Sequence, residues 1–387
     1  MTTAGDPGAT PTADRALAPD LARGGMLLLI ALANVHTYLY AQGAGVRAYP
    51  AELDALDRVV VLVQMLLVDG RAYPLFALLF GYGVTQLAWR RARAGLPAAA
   101  VEQLVRRRGL VMIGIGFLHG VLLFSGDIVG AYGLVAVALA VLLVSGSDRA
   151  LLTTAGAGVV VGTLLSLLAG LPIPDEIADA RSVAVPDPLG ALAFRAFEWV
   201  TNGLLVQAIA VFGMVALGAW AGRRRLLDDP AAHRAVLART AVTGIVVAVL
   251  LGLPFALAAA GIGPAQGTGL LVLGAGLHTL GGYAGGAGLA AAFGLLALRA
   301  AGPVAAALAA CGRRSLSCYL AQSVAFVALL PAWTLGLGAR AGVAEAALLA
   351  VGTWLVVLLV AAASERAGYR GPAETLLRRL TYGRPRR

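Results

Sequence analysis

The sequence predicts an all-α, polytopic transmembrane helix bundle of about ten spans with both termini in the cytoplasm. Three observations lead there. Charged residues make up 13% of the chain and hydrophobic residues 59%, about half the charge of a soluble domain. The apolar residues fall in runs of about 18 or more, the length a helix needs to cross a ~30 Å hydrocarbon core. When the runs are taken to alternate across a membrane, the arginines between them gather on one side.

Taken in order, residues 1–15 are polar, rich in Thr, Pro and Ala, and read as a disordered cytoplasmic tail. The first apolar run, 24–42, lacks a small-residue cleavage site and reads as a retained helix. Further runs follow at 58–69 with 71–89, 108–125, 128–146, 150–171, 192–221, 240–261, 270–298, 315–337 and 344–363. Asp69-Gly70-Arg71 interrupts the second, which is therefore either one long tilted helix or a short interfacial helix followed by a span. The segments group as an N-terminal five-span half (16–171), an external loop (172–190), a C-terminal five-span half (191–365) and a basic cytoplasmic tail (366–387). No sequence repeat relates the halves, although an odd number of spans in each is compatible with an inverted arrangement.

The net charge is +10 and all 30 basic residues are arginine, the residue usage of a GC-rich bacterial genome. With the N-terminus inside, 24 of the 30 arginines face the cytoplasm, and the opposite loops hold Asp54, Asp57, Asp175, Glu176, Asp179 and Asp187. This satisfies the positive-inside rule at every loop and places the chain in a bacterial cytoplasmic membrane. The positive charge is thereby assigned to anionic membrane lipid rather than to nucleic acid. In the 90–108 loop, arginines alternate with Leu96, Val101, Leu104 and Val105. That pattern predicts a short amphipathic helix along the inner surface, ending at Arg106-Arg107-Arg108. Cys311 and Cys318 lie in or near one predicted helix, too few for a metal cluster and not placed for a mutual disulfide.

Polar groups inside spans are costly and mark function or specific packing. Asn34 and His36 stand in the first span, on different helix faces. The sharpest constellation is GFLHGVLLFSGDIVGAYGLV, where a tight hairpin brings His119 near Asp127 and Tyr132. Asp127 is placed to orient the imidazole and Tyr132 to donate a hydrogen bond, an arrangement suited to a shielded general base. The plainer reading makes Asp127 the N-cap of the following helix and His119 a packing residue. His278 opens a glycine-rich stretch of the kind that allows close helix packing. Asn202, Gln207 and Gln322 are candidates to line a polar cavity, and Arg195 with Glu198 reads as a local ion pair. No nucleophile elbow, metal-ligand cluster or ATP-binding motif appears.

Several segments together resemble the YeiB-like family of bacterial membrane proteins, which ends in a domain of unknown function, 418. They are Asp20-Leu21-Ala22-Arg23-Gly24 leading into the span with Asn34, and Asp69-Gly70-Arg71-Ala72-Tyr73-Pro74-Leu75-Phe76 followed by Leu79-Phe80-Gly81-Tyr82-Gly83. His119, Gly126-Asp127-Ile128 and Tyr132 follow, then Gly312 to Ser323, Gly371-Pro372-Ala373-Glu374 and Leu380-Thr381-Tyr382-Gly383. That family is distantly similar to transmembrane acyltransferases of the heparan-glucosaminide acetyltransferase type. The resemblance implies transfer of an acyl group from cytoplasmic acyl-CoA to an acceptor at or across the membrane, through an intramembrane histidine. The chain lacks a histidine–tryptophan–asparagine stretch of the kind those acetyltransferases carry and has Val35-His36 after Asn34.

Two classes of function follow. In the first, a membrane-embedded acyltransferase, His119 and Asp127 are catalytic. Asn34, His36, Arg71, Tyr132 and Gln322 bind a small-molecule, lipid or glycan acceptor, and Arg23, Arg106 and Arg107 meet the phosphates of acyl-CoA, with no metal. In the second, the protein is a transporter, exporter or lipid-binding protein without chemistry, and polar residues on several spans line a substrate path. A homodimer is compatible with both.

Overall fold

The computed structural model describes residues 16–171 and 181–383. The readings made for residues 1–15, for residues 172–180 of the 172–190 loop and for the last four residues lie outside these. The described chain is helical, with α1 (Leu17–Val35), α2 (Ala55–Leu67), α3 (Ala72–Arg93), α4 (Ala98–Leu122), α5 (Val129–Ala138), α6 (Ala140–Ser145) and α7 (Asp148–Ser166) in the first part. Beyond residue 180 come α8 (Pro188–Glu198), a π-helical stretch (Trp199–Val206) and α9 (Gln207–Arg223). The rest comprises α10 (Arg234–Ala259), α11 (Thr268–Ala297), α12 (Gly302–Arg313), α13 (Ser315–Leu329), α14 (Val343–Arg366) and α15 (Pro372–Tyr382).

Among the described residues, seven helical segments are long and apolar enough to cross a membrane: 17–38, 55–93, 148–170, 188–223, 234–259, 268–297 and 343–366. Val129–Ala138 and Ser315–Leu329 are apolar but shorter, and α4 carries Arg106, Arg107 and Arg108 in its own length. The last point corrects the reading of 90–108. A turn at Ala94–Pro97 separates α3 from α4, and the arginine triplet belongs to the helix that ends just beyond His119, not to a separate surface helix. Val101 and Val105 are buried, and Arg107 Nε donates to the Leu380 carbonyl at 3.1 Å.

Local chemistry starts the helices where they start. Asp54, Ser147 and Asp187 accept from the backbone N–H groups of Asp57, Ala150 and Gly190, capping α2, α7 and α8. Between α2 and α3 the chain breaks at Asp69-Gly70-Arg71, where Gly70 has φ +76°, a left-handed value that disfavours a side chain. A Cβ there would also meet His278 Nε2 at 2.8 Å. Elsewhere glycines let backbones touch: a Cβ on Gly81 would come within 1.9 Å of the Val215 carbonyl, and one on Gly218 within 1.9 Å of the Leu78 carbonyl. Helices α3 and α9 thus meet backbone to backbone, the small-residue packing that membrane helices use. The glycines of α11 serve in the same way, Gly288 against Gly244 of α10 and Gly282 against Gly70. Many large apolar residues, Leu348, Leu359 and Val242 among them, are exposed on the outside of the bundle.

The loops gather at two ends. At one, Arg58 donates to the Gly261 carbonyl, Gln42 to that of Ala341, and Ala332 N–H to that of Val183. At the other, Arg223 donates to the Gly146 carbonyl, Arg224 pairs with Asp148, and Arg314 reaches Glu365 and the Tyr369 carbonyl. The arginine-rich turns lie at this second end. Cys311 and Cys318 are both buried free thiols.

Candidate functional site

The hairpin between α4 and α5 sits at the first end. His119 lies one turn before the end of α4, and residues 123–128 turn the chain so that Asp127 faces it. His119 Nδ1 is 2.8 Å from Asp127 Oδ1, and both side chains are shut off from solvent, at 1% and 0% exposure. The second oxygen, Oδ2, accepts the Gly130 N–H at 2.7 Å and the Trp199 indole N–H at 3.5 Å. The two readings of Asp127, as a helix cap and as the orienter of His119, are therefore compatible, because each uses a different oxygen.

The other imidazole nitrogen, Nε2, is 2.8 Å from Ser323 Oγ on α13. An ionised carboxylate only accepts, so Asp127 fixes the proton of a neutral His119 on Nδ1 and leaves Nε2 as the acceptor of the serine O–H. Asp127, His119 and Ser323 thus form a continuous hydrogen-bonded line from a carboxylate through a base to a hydroxyl. That is the pattern by which nucleophiles are activated. Ser323 itself is buried. The π-helical stretch matters here, since such irregular turns re-aim side chains. It begins at Trp199, whose ring lies over Gly120 and Gly130, where any Cβ would collide with it.

Tyr132 does not donate to His119. Its hydroxyl donates to the Tyr73 carbonyl at 3.2 Å, and its ring stacks on Phe76 and Phe80. The aromatic neighbours of His119 are Tyr319, with ring centroids 4.8 Å apart, and Phe124, edge-on at 6.5 Å. Gln322, beside Ser323, donates through Nε2 to the Leu27 carbonyl at 3.2 Å. Buried Gln322 Oε1, Tyr319 Oη and Tyr38 Oη have no hydrogen-bond partner among the described residues. Arg195 and Glu198 are not an ion pair. Arg195 Nε donates to the Val121 carbonyl at 2.7 Å and its guanidinium lies over Trp333, while Glu198 accepts from Ser182.

A second buried polar cluster lies at the break between α2 and α3. Arg47 grips Asp69 through two hydrogen bonds, Nη2 to Oδ1 at 2.6 Å and Nε to Oδ2 at 3.1 Å. The Asp69 carboxylate holds the Arg47 guanidinium above its ordinary pKa. Arg71 is 1% exposed. It donates to the carbonyls of Asp69 and Ala248, each at 2.6 Å, and its Nη1 lies 3.1 Å from the His278 ring nitrogens. His36 stacks flat on Tyr49, centroids 4.1 Å apart, and the Tyr49 hydroxyl donates to Gln64 Oε1 at 3.1 Å. Burial raises the Tyr49 phenol above its ordinary pKa.

The structure thus groups the residues singled out in the sequence into two sets. His119, Asp127 and Gln322 gather with Ser323, and His36 and Arg71 with His278, while Tyr132 lies against Tyr73, which follows Arg71 by two positions. Asn34 is the penultimate residue of α1, its carbonyl accepts from Thr37, and among the described residues no side-chain hydrogen bond of Asn34 joins either set. Arg23 pairs with Asp20 at 3.1 Å at the arginine-rich end, and Arg106 and Arg107 are exposed there. Sequence reasoning missed Ser323 because it comes 204 positions after His119. The one signal was its place in the Gly312–Ser323 motif. Among the described residues no group of His, Cys, Asp and Glu is arranged to hold a metal. The apolar cavity of ≈ 460 Å³ lined by Pro254, Leu257, Ile262 and Leu273 touches neither set.

Apolar helices of membrane-crossing length, with polar clusters buried between them, define a polytopic helical membrane protein. Residues 221–384 match a family described as protein of unknown function (DUF418). The match covers the C-terminal part of the chain and supports the YeiB-like resemblance. No curated protein matches the chain.

Proposed function

We propose that this protein is a membrane-embedded acyltransferase in which Asp127, His119 and Ser323 act as one relay. The observation that carries the proposal is the unbroken Asp127–His119–Ser323 line, with 2.8 Å on each side of the imidazole. In the first half-reaction His119 Nε2 takes the Ser323 hydroxyl proton. Ser323 Oγ then forms a bond to the carbonyl carbon of an acyl thioester as the C–S bond breaks, and the imidazolium returns the proton to the departing thiolate. In the second, His119 takes a proton from an acceptor hydroxyl or amine, the acceptor bonds to the acyl carbon, and Ser323 leaves and regains its proton. Asp127 stays ionised throughout and stabilises the imidazolium.

The donor is acyl-CoA approaching from the arginine-rich end, where exposed Arg106 and Arg107 suit its phosphates. Arg106 and His119 stand 13 positions apart on α4, about 20 Å along a helix. The extended thiol-bearing arm of CoA has to reach inward along the bundle. In the same reading the chain crosses a bacterial cytoplasmic membrane about ten times, with the arginine-rich end inside and the relay in the outer half. The segregation of the arginine-rich turns to one end supports that orientation. The acceptor is a small molecule, lipid or glycan at the outer side. Chemistry-free transport, the alternative class, draws support from the break at Asp69-Gly70-Arg71, since discontinuous helices mark substrate sites in transporters.

The test is mass spectrometry of protein reconstituted in proteoliposomes and supplied with acyl-CoA on the arginine-rich side. An acyl adduct on Ser323 is expected in the wild type and is lost in Ser323→Ala and His119→Gln. Transfer that survives Ser323→Ala but not His119→Gln overturns the covalent step and leaves His119 acting directly on the acceptor. Transfer surviving both removes the relay from the chemistry.

A further inference from the structure

The cluster at the α2–α3 break contains a positive charge without an ion-pair contact among the described residues. Arg47 and Asp69 neutralise each other. Arg71, buried nearby, has only neutral neighbours within hydrogen-bonding distance: two backbone carbonyls and the His278 ring. No carboxylate lies within ion-pairing distance of it among the described residues. A guanidinium removed from water without a counter-charge is strongly disfavoured.

The donors left over say what is missing. Both Nη1 hydrogens of Arg71 have neighbours, and so does one on Nη2. Nε–H has no partner among the described residues, and Nη2 retains a second hydrogen. Nε with Nη2 forms the side-on fork that matches the two oxygens of a carboxylate or phosphate. Two further buried atoms of the same cluster are also without partners among the described residues, Gln64 Nε2 and His36 Nδ1. The cluster is continuous: His36 stacks on Tyr49, Tyr49 bonds Gln64, the Gln64 carbonyl accepts the Asp69 N–H, and the Asp69 carbonyl accepts from Arg71. Gln64 Nε2 is a donor whatever its surroundings, and the imidazole becomes one through choice of tautomer.

We infer that the α2–α3 break is a binding site for an oxyanion, a carboxylate or phosphate group, held by the Arg71 fork and by Gln64 and His36. The site takes a single negative charge, because Arg47 and Asp69 cancel and Arg71 contributes one uncompensated positive charge. The inference does not depend on the His119 relay, which shares no residue with it.

The experiment uses the full chain, purified and placed in nanodiscs of phosphatidylcholine, with thermal unfolding as the readout. The probes are sodium acetate, sodium phosphate and nanodiscs in which part of the phosphatidylcholine is replaced by phosphatidylglycerol. At saturating probe a rise in Tm of about 4 °C is expected. A response to the soluble anions assigns the site to a free ligand, and a response confined to phosphatidylglycerol assigns it to a lipid headgroup. Gln64→Leu, which removes one unpartnered donor and keeps the bulk, lowers apparent affinity about tenfold, the loss of a hydrogen bond to a charged group. Arg71→Lys keeps the charge, loses the fork and abolishes the response. Should Arg71→Lys not fold, Gln64→Leu and His36→Phe decide. The site is refuted if no probe moves the wild-type Tm, or if the shift is the same in Gln64→Leu and His36→Phe as in the wild type.

Discussion

Replacing Asp127 by Asn changes one oxygen into an amide NH₂ without changing shape, and the surrounding geometry dictates the outcome. The carboxylate has three donors to satisfy, the Gly130 backbone N–H at 2.7 Å and the Trp199 indole N–H at 3.5 Å on Oδ2, and His119 Nδ1 at 2.8 Å on Oδ1. The asparagine has one acceptor. The Gly130 N–H cannot change its role, so the amide oxygen turns to it and the NH₂ faces His119. Nδ1 then has to accept, its proton moves to Nε2, and Nε2–H donates to Ser323 Oγ, so the base has lost the lone pair that activates the serine. A charge-assisted hydrogen bond is exchanged for a neutral one in a site fully shut off from solvent, a loss of about 1–2 kcal/mol. For a chain of this length that corresponds to a Tm lower by about 1–3 °C, while acyl transfer falls by about 10²–10⁴. Nitrogen-15 NMR of histidine-labelled protein reads the tautomer directly and needs no substrate. The wild type should show His119 protonated at Nδ1 and Asp127→Asn at Nε2. A wild-type spectrum with the proton on Nε2, or a variant with the wild-type pattern, refutes the relay geometry.

Gly218→Ala should separate α3 from α9, because a Cβ there meets the Leu78 carbonyl at 1.9 Å. A cost of about 1–3 kcal/mol appears as a lower melting temperature, whereas Gly114→Ala, with open space around it, leaves the melt unchanged. Gly120→Ala strikes the Trp199 ring and should shift Trp199 fluorescence, read in a variant whose other tryptophans are Phe, as well as reducing transfer. In a background with Cys311 and Cys318 replaced by Ala, Leu335→Cys should label from outside intact cells and Tyr369→Cys only after permeabilisation. Both positions are exposed and lie at opposite ends, and the reverse pattern would sink the proposed orientation. Arg58→Ala, which removes the tie from α2 to the Ala260 and Gly261 carbonyls, should increase hydrogen exchange in α2 and leave α9 unaffected.

The sequence by itself determined the class of molecule, because crossing a membrane imposes length and composition on each segment separately. The seven segments of membrane-crossing length fall on apolar runs legible residue by residue, and the break at Asp69-Gly70-Arg71 was visible as charge next to glycine. The pairing of His119 with Asp127 was legible too, since a tight hairpin keeps residues eight positions apart close together. Only the tertiary structure decided what those residues meet next. Ser323 reaches His119 from α13, Trp199 reaches Asp127 from a π-helical stretch, and His278 reaches Arg71 from α11. Tyr132 turned away to the Tyr73 carbonyl because Phe76 and Phe80 flank its ring. The physical reason is that helical periodicity specifies which residues face inward, while the glycine-mediated approach of one backbone to another, as at Gly81 and Gly218, sets which inward faces come together.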